Sequence, residues 1–174
     1  MDLFEAIHGR RSIRRYTAEP LAPDALETLL DAARWAPNAG NWNAWRFVVV
    51  TSPVQKQLLL KFTPGVDDVP AAVIVICIEP KQKQVKEAAR LVYVADAAIA
   101  AENMALAAHG LGLGSCIVVS FAEAALRAVL KLPEAVFPCM LLTVGHPAEA
   151  PPPPPRRPLA EIAFTDEYGQ EWRP

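Results

Sequence analysis

Apolar residues recur along the chain at two different spacings. From Pro23 to Ala36 the apolar positions Leu26, Leu29, Leu30 and Ala33 fall on one helical face, Asp24 and Glu27 suit the first turn, and Pro37 ends the run. Helical patterns also cover Asp2 to His8, Val54 to Phe62, Lys86 to His109 and Phe121 to Leu130. Between them lie short β-branched runs, Arg46 to Thr51, Ala72 to Ile78, Met140 to Val144 and a briefer Ile117 to Val119, which read as strands. These runs are continuously apolar, so the sheet is expected to be covered on both faces. Strands alternating with helices predict a layered α+β or α/β domain.

The longest apolar stretch, Leu91 to Leu113, is broken by Asp96, Glu102, Asn103 and His109. Charges at that depth make a membrane span costly, so no membrane association is expected. A helix this apolar on nearly all sides needs protein around it, and a chain of 174 residues has little to spare. Burial in a subunit interface is the expected outlet. The tail differs: Pro151 to Pro155 form an extended, stiff polyproline spacer, followed by Arg156-Arg157-Pro158-Leu159 within a C-terminal extension, 156–174. The whole of 1–174 is expected to be a single domain.

Charge narrows the picture. With 17 Lys+Arg against 19 Asp+Glu there is no global basic field, and nucleic acid is not an expected partner. The start, Met1 to Glu5, has neither the basic nor the apolar region of a secretory signal, which predicts a cytoplasmic protein. Cys77, Cys116 and Cys139 each lie in an apolar run without metal-like spacing, so they are expected to be buried thiols and no metal is expected.

Hydrolytic motifs are missing. His8, His109 and His146 are far apart in sequence, and neither G-x-S-x-G nor H-E-x-x-H occurs. The glycine-rich Gly110 to Ser115 follows a helix and precedes a strand, the reverse of a dinucleotide fingerprint. The basic cluster Arg10-Arg11-Ser12-Ile13-Arg14-Arg15 carries more information. In an extended arm Arg10, Ser12 and Arg14 share one side and can converge on a phosphate, whose oxygens match Arg forks, while Arg11 and Arg15 face elsewhere. The same residues also suit a solvated basic turn.

Taken in order, Arg10 to Arg14, Ala36-Pro37-Asn38-Ala39-Gly40-Asn41-Trp42-Asn43-Ala44-Trp45-Arg46-Phe47, Asp96 to Asn103, Gly110 to Ser115 and Arg156 to Leu159 resemble the nitroreductase family of flavin mononucleotide (FMN) enzymes. The likeness runs from Phe4 to about Ile162. It implies an α+β fold, an α/β/α sandwich on a mainly antiparallel sheet, in an intertwined homodimer with FMN at the subunit interface. By that resemblance Arg10 and Ser12 meet the phosphate and ribityl end and Arg14 the pyrimidine edge, with Arg11 in the same cofactor-binding stretch. Arg156, with Arg157, returns to the phosphate, and main-chain groups of Leu113 and Gly114 line the ring. Asn38, Ala39, Asn41 and Asn43 approach from the other subunit.

Where the family pattern has Ser, Gln and Pro, this chain has Asn38, Asn43 and Ala44. Asn43 is one methylene shorter than Gln, so a water is expected to bridge it to the flavin. Trp42 stands where a smaller aliphatic is common, and either overhangs the substrate face or packs in the dimer, packing being favoured.

The implied activity is hydride transfer from NADH or NADPH through the flavin to a small electron-poor acceptor (a nitroaromatic, quinone, flavin or activated alkene) by turns at one site, with no catalytic acid or base required. Only Val54 to Ala71 separates the first two strands, leaving little room for a substrate lid. The alternatives are a specialised flavin reaction such as reductive dehalogenation, a non-catalytic FMN carrier or sensor, and an anion-binding module without flavin.

Overall fold

The computed structural model describes residues 1–81 and 87–173; the side chains of 87–89 are outside the description, as is Lys86, the expected start of the long helix. In chain order the elements are α1 (Leu3–Gly9), α2 (Ala25–Arg34), β1 (Trp45–Val50), α3 (Pro53–Leu60), β2 (Ala72–Ile78), α4 (Glu87–Gly110), β3 (Gly114–Val118), α5 (Glu123–Leu130), β4 (Phe137–Gly145) and α6 (Leu159–Ile162). A short 3-10 turn, Ala39–Asn41, precedes β1.

The strands lie in the order β1-β2-β4-β3, every neighbouring pair antiparallel. Alternation along β2 divides the core. Ile74, Ile76 and Ile78 face α2 and α4 with Leu29, Ala97 and Met104, whereas Val73, Val75 and Cys77 face α3 and α5 with Leu59 and Leu126. All seven β2 residues are sealed from solvent, which is why the segment reads as an unbroken apolar run. Opposite Ile76 and Cys77 the register jumps from Met140 to Pro138, so Cys139 is the extra residue of a bulge.

Boundaries shift by a few residues where local composition is silent. The expected strand Ile117 to Val119 begins at Gly114 instead, because pairing with β4 from Gly145 to Leu141 recruits Gly114, Ser115 and Cys116, none a strong strand former. Helix α5 starts at Glu123 rather than Phe121. Helix α1 opens with a reciprocal cap between Asp2 and Glu5.

Helix α4 is long and apolar enough, over Arg90–Gly110, to span a bilayer by composition. Here it is the core helix between α2 and the sheet, with Tyr93, Ala97, Ala100, Ala101 and Met104 buried. Among the described residues part of its surface stays uncovered. Leu91, Val92, Val94 and Ile99 remain exposed, as do Leu3, Phe4 and Ile7 of α1 and Leu159 and Ile162 of α6.

Candidate functional site

After α1 the chain leaves helical geometry at Arg10 and runs as an arm beside β3. Ser12 pairs with Ser115 in parallel, and the Ile13 amide donates to the Ser115 carbonyl at 2.8 Å. Ile13 itself is buried against Gly114, where a Cβ would fall 2.8 Å from its side chain. Gly114 therefore admits the arm, a role its sequence position does not announce, in addition to the cavity it lines.

Further along, one oxygen of Glu149 accepts the amides of Arg14 and Arg15 at 2.7 and 3.3 Å. The Arg14 carbonyl accepts the amides of Asp67 and Asp68, and Asp68 accepts the Tyr16 amide at 3.3 Å. Tyr16 anchors the end: its buried hydroxyl donates to the Ile13 carbonyl at 2.5 Å and lies 2.7 Å from Thr143 Oγ1. Burial pushes this phenol well above its usual range, so it stays protonated, the Thr143 hydrogen bond opposing only part of that shift. The backbone of the arm is fixed while its arginine heads reach outward.

Those heads meet. Arg10, Arg11, Ser12 and Arg14 line a cavity of about 310 Å³ closed by Pro151, Pro152, Pro154 and Arg156. Arg157 is exposed and does not line it. Arg10, Arg11 and Pro151 are shared with a second cavity of about 400 Å³, walled by His109, Gly112, Leu113, Gly114, Ser115 and Glu149. The polyproline segment thus does more than space the tail: it walls both cavities.

The expected alternation holds for Ile13, which is buried, and for Arg15, which turns away to Asp68 at 3.7 Å. It does not hold for Arg11, whose long side chain folds back so that Nη1 donates to the His8 and Arg10 carbonyls at 2.6 and 2.8 Å while still lining the arginine cavity. Arg10 is engaged too, its Nε donating to Glu102 at 3.0 Å.

The asparagine loop lies elsewhere. Gly40, Asn41 and Asn43 all take left-handed backbone angles, with φ of 54°, 50° and 50°. Asn38 Oδ1 accepts the Asn43 amide at 2.9 Å, and Asn43 Nδ2 donates to the Asn41 carbonyl at 2.9 Å. Trp42 packs at a tilt on Tyr93 of its own chain, 5.7 Å between ring centres, and stays partly exposed. Asn43 lines a separate cavity with Arg34, Trp35, Trp45 and Arg46.

Loop and arm contact α4 through Asp96 and Glu102 respectively. Six residues apart on a helix places these about 240° around the axis, so one chain holds the two groups on different sides. None of the asparagines lines either arginine cavity.

Sequence reasoning missed the acids that shape both groups: Glu102, Glu149, Asp68 and Asp96. Asp96 and Glu102 lie in a stretch that carries the family resemblance, yet nothing local gives any of the four a role, since each partner is at least 52 residues away along the chain. Among the described residues no cluster of three or more His, Cys, Asp or Glu could hold a metal. Cys116 beneath the arm is held above the ordinary thiol range by burial, more than Arg14 offsets, which suits a structural thiol.

The chain is thus a three-layer α/β/α sandwich carrying an arginine-lined cavity next to a glycine turn, a donor set suited to an anion. The nitroreductase family sequence model matches residues 7–70 and 65–146, and the chain belongs to that family of oxidoreductases. A Methanothermobacter thermautotrophicus protein, whose name couples NADH dehydrogenase with NAD(P)H nitroreductase, is 34% identical over 87% of this chain and 80% of its own length. The FMN reductase (NADPH) of Bacillus subtilis is 29% identical over 94% of this chain and 73% of its own. Among solved structures, the NADPH:FMN oxidoreductase of Vibrio harveyi complexed with NAD⁺ superposes with a TM-score of 0.88 at 26% identity, covering 98% of this chain and 79% of the other.

Proposed function

We propose that this protein is an FMN-dependent oxidoreductase that passes hydride equivalents from NADH or NADPH to a small electron-poor acceptor, a nitroaromatic, quinone, flavin or activated alkene. FMN fed by NAD(P)H is the cofactor chemistry of relatives in the family, and the residues present fit it. Four guanidinium groups and a serine hydroxyl around one small cavity are a donor set for a phosphate monoester. The adjoining cavity, with Leu113 and Gly114 in its wall, offers a mostly apolar place for a ring. The contiguity of these two cavities is the observation that carries the reading.

Bound FMN supplies the two-electron chemistry. The chain would supply placement: Arg10, Arg11, Ser12 and Arg156 would hold the phosphate end and Leu113 and Gly114 would support the ring, while Arg14, which lines the arginine cavity and not the ring cavity, is assigned the charge beside the ring on the family resemblance alone. Arg157, outside the cavity, serves at most as distant positive charge. Asn38, Ala39, Asn41 and Asn43 reach the flavin of the partner subunit, because one chain keeps them away from its own arginines.

That arrangement calls for a homodimer. The exposed apolar residues of α1, α4 and α6 provide the surface, and the same residues would be a liability on a free monomer. The chain acts as one domain over 1–174, with 151–155 as a rigid spacer, in the cytoplasm where nicotinamide pools lie.

The test is the visible spectrum of the purified protein before and after anaerobic NADH or NADPH. A flavin spectrum that bleaches on addition is expected. A flavin that nicotinamides never bleach would make the protein a carrier or sensor, and a colourless protein that does not take up added FMN would leave only an anion-binding module. Sedimentation at micromolar concentration should give a dimer, and a folded monomer there would remove the cross-subunit placement of the asparagines.

A further inference from the structure

Asp96 is a carboxylate in a place where the core gains nothing from a charge. It sits on α4 among Ala97, Ala100 and Tyr93, and is only 5% exposed. One oxygen accepts the Ala39 amide at 3.0 Å, and the other has no partner among the described residues. Burying a half-satisfied carboxyl group is costly, and an apolar side chain would pack there at no such cost. What the acid touches is the first residue of the 3-10 turn whose successors take left-handed angles at Gly40, Asn41 and Asn43. Isolated left-handed residues persist only where the surroundings hold them.

Two restraints act on this loop from one face of α4. Tyr93 stacks on Trp42, and Asp96, three residues further on and so on the same helical face, takes the Ala39 amide. We propose that Asp96 is a positioning residue, pinning the Ala39–Asn41 turn so that the asparagine loop presents the shape that meets the flavin of the partner subunit. This rests on the flavin reading above, and Asp96 itself touches no cofactor. A carboxylate is used because a charge-assisted N–H···O⁻ bond is stronger than one to a neutral acceptor. Asn38 is compatible with this clamp: its extended backbone, ψ 154°, delivers the Ala39 amide toward the helix.

The experiment compares the full-length protein with Asp96→Ala and Asp96→Asn in two measurements. In flavin-free protein, hydrogen exchange of the Ala39 amide should speed up about tenfold or more in Asp96→Ala, since a charge-assisted bond is lost. In FMN titrations at a temperature where each variant is fully folded, Asp96→Ala should raise the dissociation constant about tenfold, while Asp96→Asn, whose amide oxygen still accepts, should stay within about threefold of wild type. A residue of purely structural importance would lower the melting temperature and leave the affinity of folded protein unchanged, which would overturn the proposal. So would an asparagine variant as weak as the alanine variant.

Should Asp96→Ala not fold, Ala39→Pro deletes the donor instead of the acceptor, at a first helical position and after a residue already extended, where proline is tolerated. Wild-type FMN affinity in that variant would overturn the clamp equally. If wild-type protein binds no FMN at all, the functional reading fails, yet Ala39 exchange still decides the clamp: unchanged protection in Asp96→Ala overturns it.

Discussion

Strand β2 and the arginine arm sit in the same small molecule and are held by opposite means. Every residue of β2 is sealed from solvent, and its place follows from being apolar on both faces of a central strand. The arm keeps Arg14 and Arg15 exposed and Arg10 and Arg11 half-buried, and its place follows from polar contacts to Glu102, Glu149, Asp67, Asp68 and Ser115. Packing fixes the first cheaply and diffusely. Directed hydrogen bonds fix the second at particular atoms, as the phosphate end of FMN would require under the function proposed above. Substitutions should therefore separate stability from cofactor affinity along the same line.

The largest effect is expected in β2. Ile74→Ala, at a position with no solvent exposure between Val49 and Leu142, should cost roughly 2–5 kcal/mol in urea unfolding, the range for truncating a buried branched side chain. FMN affinity of the remaining folded protein should be unchanged. If flavin affinity fell in proportion to stability, the two regions would be one cooperative unit and the contrast would dissolve.

The same strand makes a chemical prediction. Burial raises the Cys77 thiol from its ordinary 9.0 to about 11 and that of Cys139 to about 12. A thiol titrating near 11 holds about a hundredfold less thiolate around pH 8 than one titrating at 9.0, so modification of Cys77 by a thiol reagent should slow at least that much. The sign for stability follows from linkage. The unfolded thiol gives up its proton first, so the contribution is full below about pH 9 and is lost as pH rises toward 11. Rapid labelling of Cys77 in native protein, or stability that does not fall between pH 9 and 11, would show β2 to be less closed than its burial implies.

How much was legible in advance follows the same division. The helices and strands with a clear period were readable, as was the α+β sandwich, because burial is written into residue type. Arg10, Ser12 and Arg14 were readable as a set, since a dense basic cluster is a local signal in a chain otherwise richer in acids, whereas Arg11, set facing elsewhere by alternation, and Arg156 came only with the family resemblance. The partners that shape them were not. Glu149 lies in a stretch with no periodicity, Asp96 and Glu102 look like interruptions of an apolar helix, and Arg11 departs from alternation because its carbonyl acceptors are set by how α1 ends. Gly114 looked like a backbone available to a ring, whereas its missing side chain is also the seat of Ile13.

Within the arm, Arg10→Ala should weaken FMN binding by roughly 1.5–3 kcal/mol, the worth of a lost charge-assisted hydrogen bond, with little change in unfolding because its pair with Glu102 is partly exposed. Arg11→Ala should lose less, since that guanidinium is committed to the His8 and Arg10 carbonyls. Equilibrium dialysis of the two variants side by side decides it. Equal losses would mean that the Arg11 guanidinium leaves the His8 and Arg10 carbonyls for the ligand, and that its side chain is less committed than those bonds imply.

The smallest effect should come from Arg14, and it should appear in a potential instead of an affinity. Its main chain is tied through Glu149, Asp67 and Asp68, so Arg14→Gln should leave the arm in place and remove only the guanidinium, whose one side-chain bond is a long one, 3.4 Å to the Ser12 carbonyl. Reduced flavin carries more negative charge than oxidised flavin, so a cation beside the ring favours reduction. At an effective dielectric near 20, a charge about 4 Å away contributes about 4 kcal/mol before water screens it. Arg14 is exposed, and a quarter of that figure, about 1 kcal/mol, is a reasonable remainder. For a two-electron couple this lowers the midpoint potential by roughly 20 mV, within reach of a spectroelectrochemical titration of wild type beside the variant. A lowered potential with FMN still bound would place Arg14 at the ring. An unchanged potential with lost FMN affinity would make it a phosphate ligand like Arg10, and the division of labour along the arm would have to be redrawn.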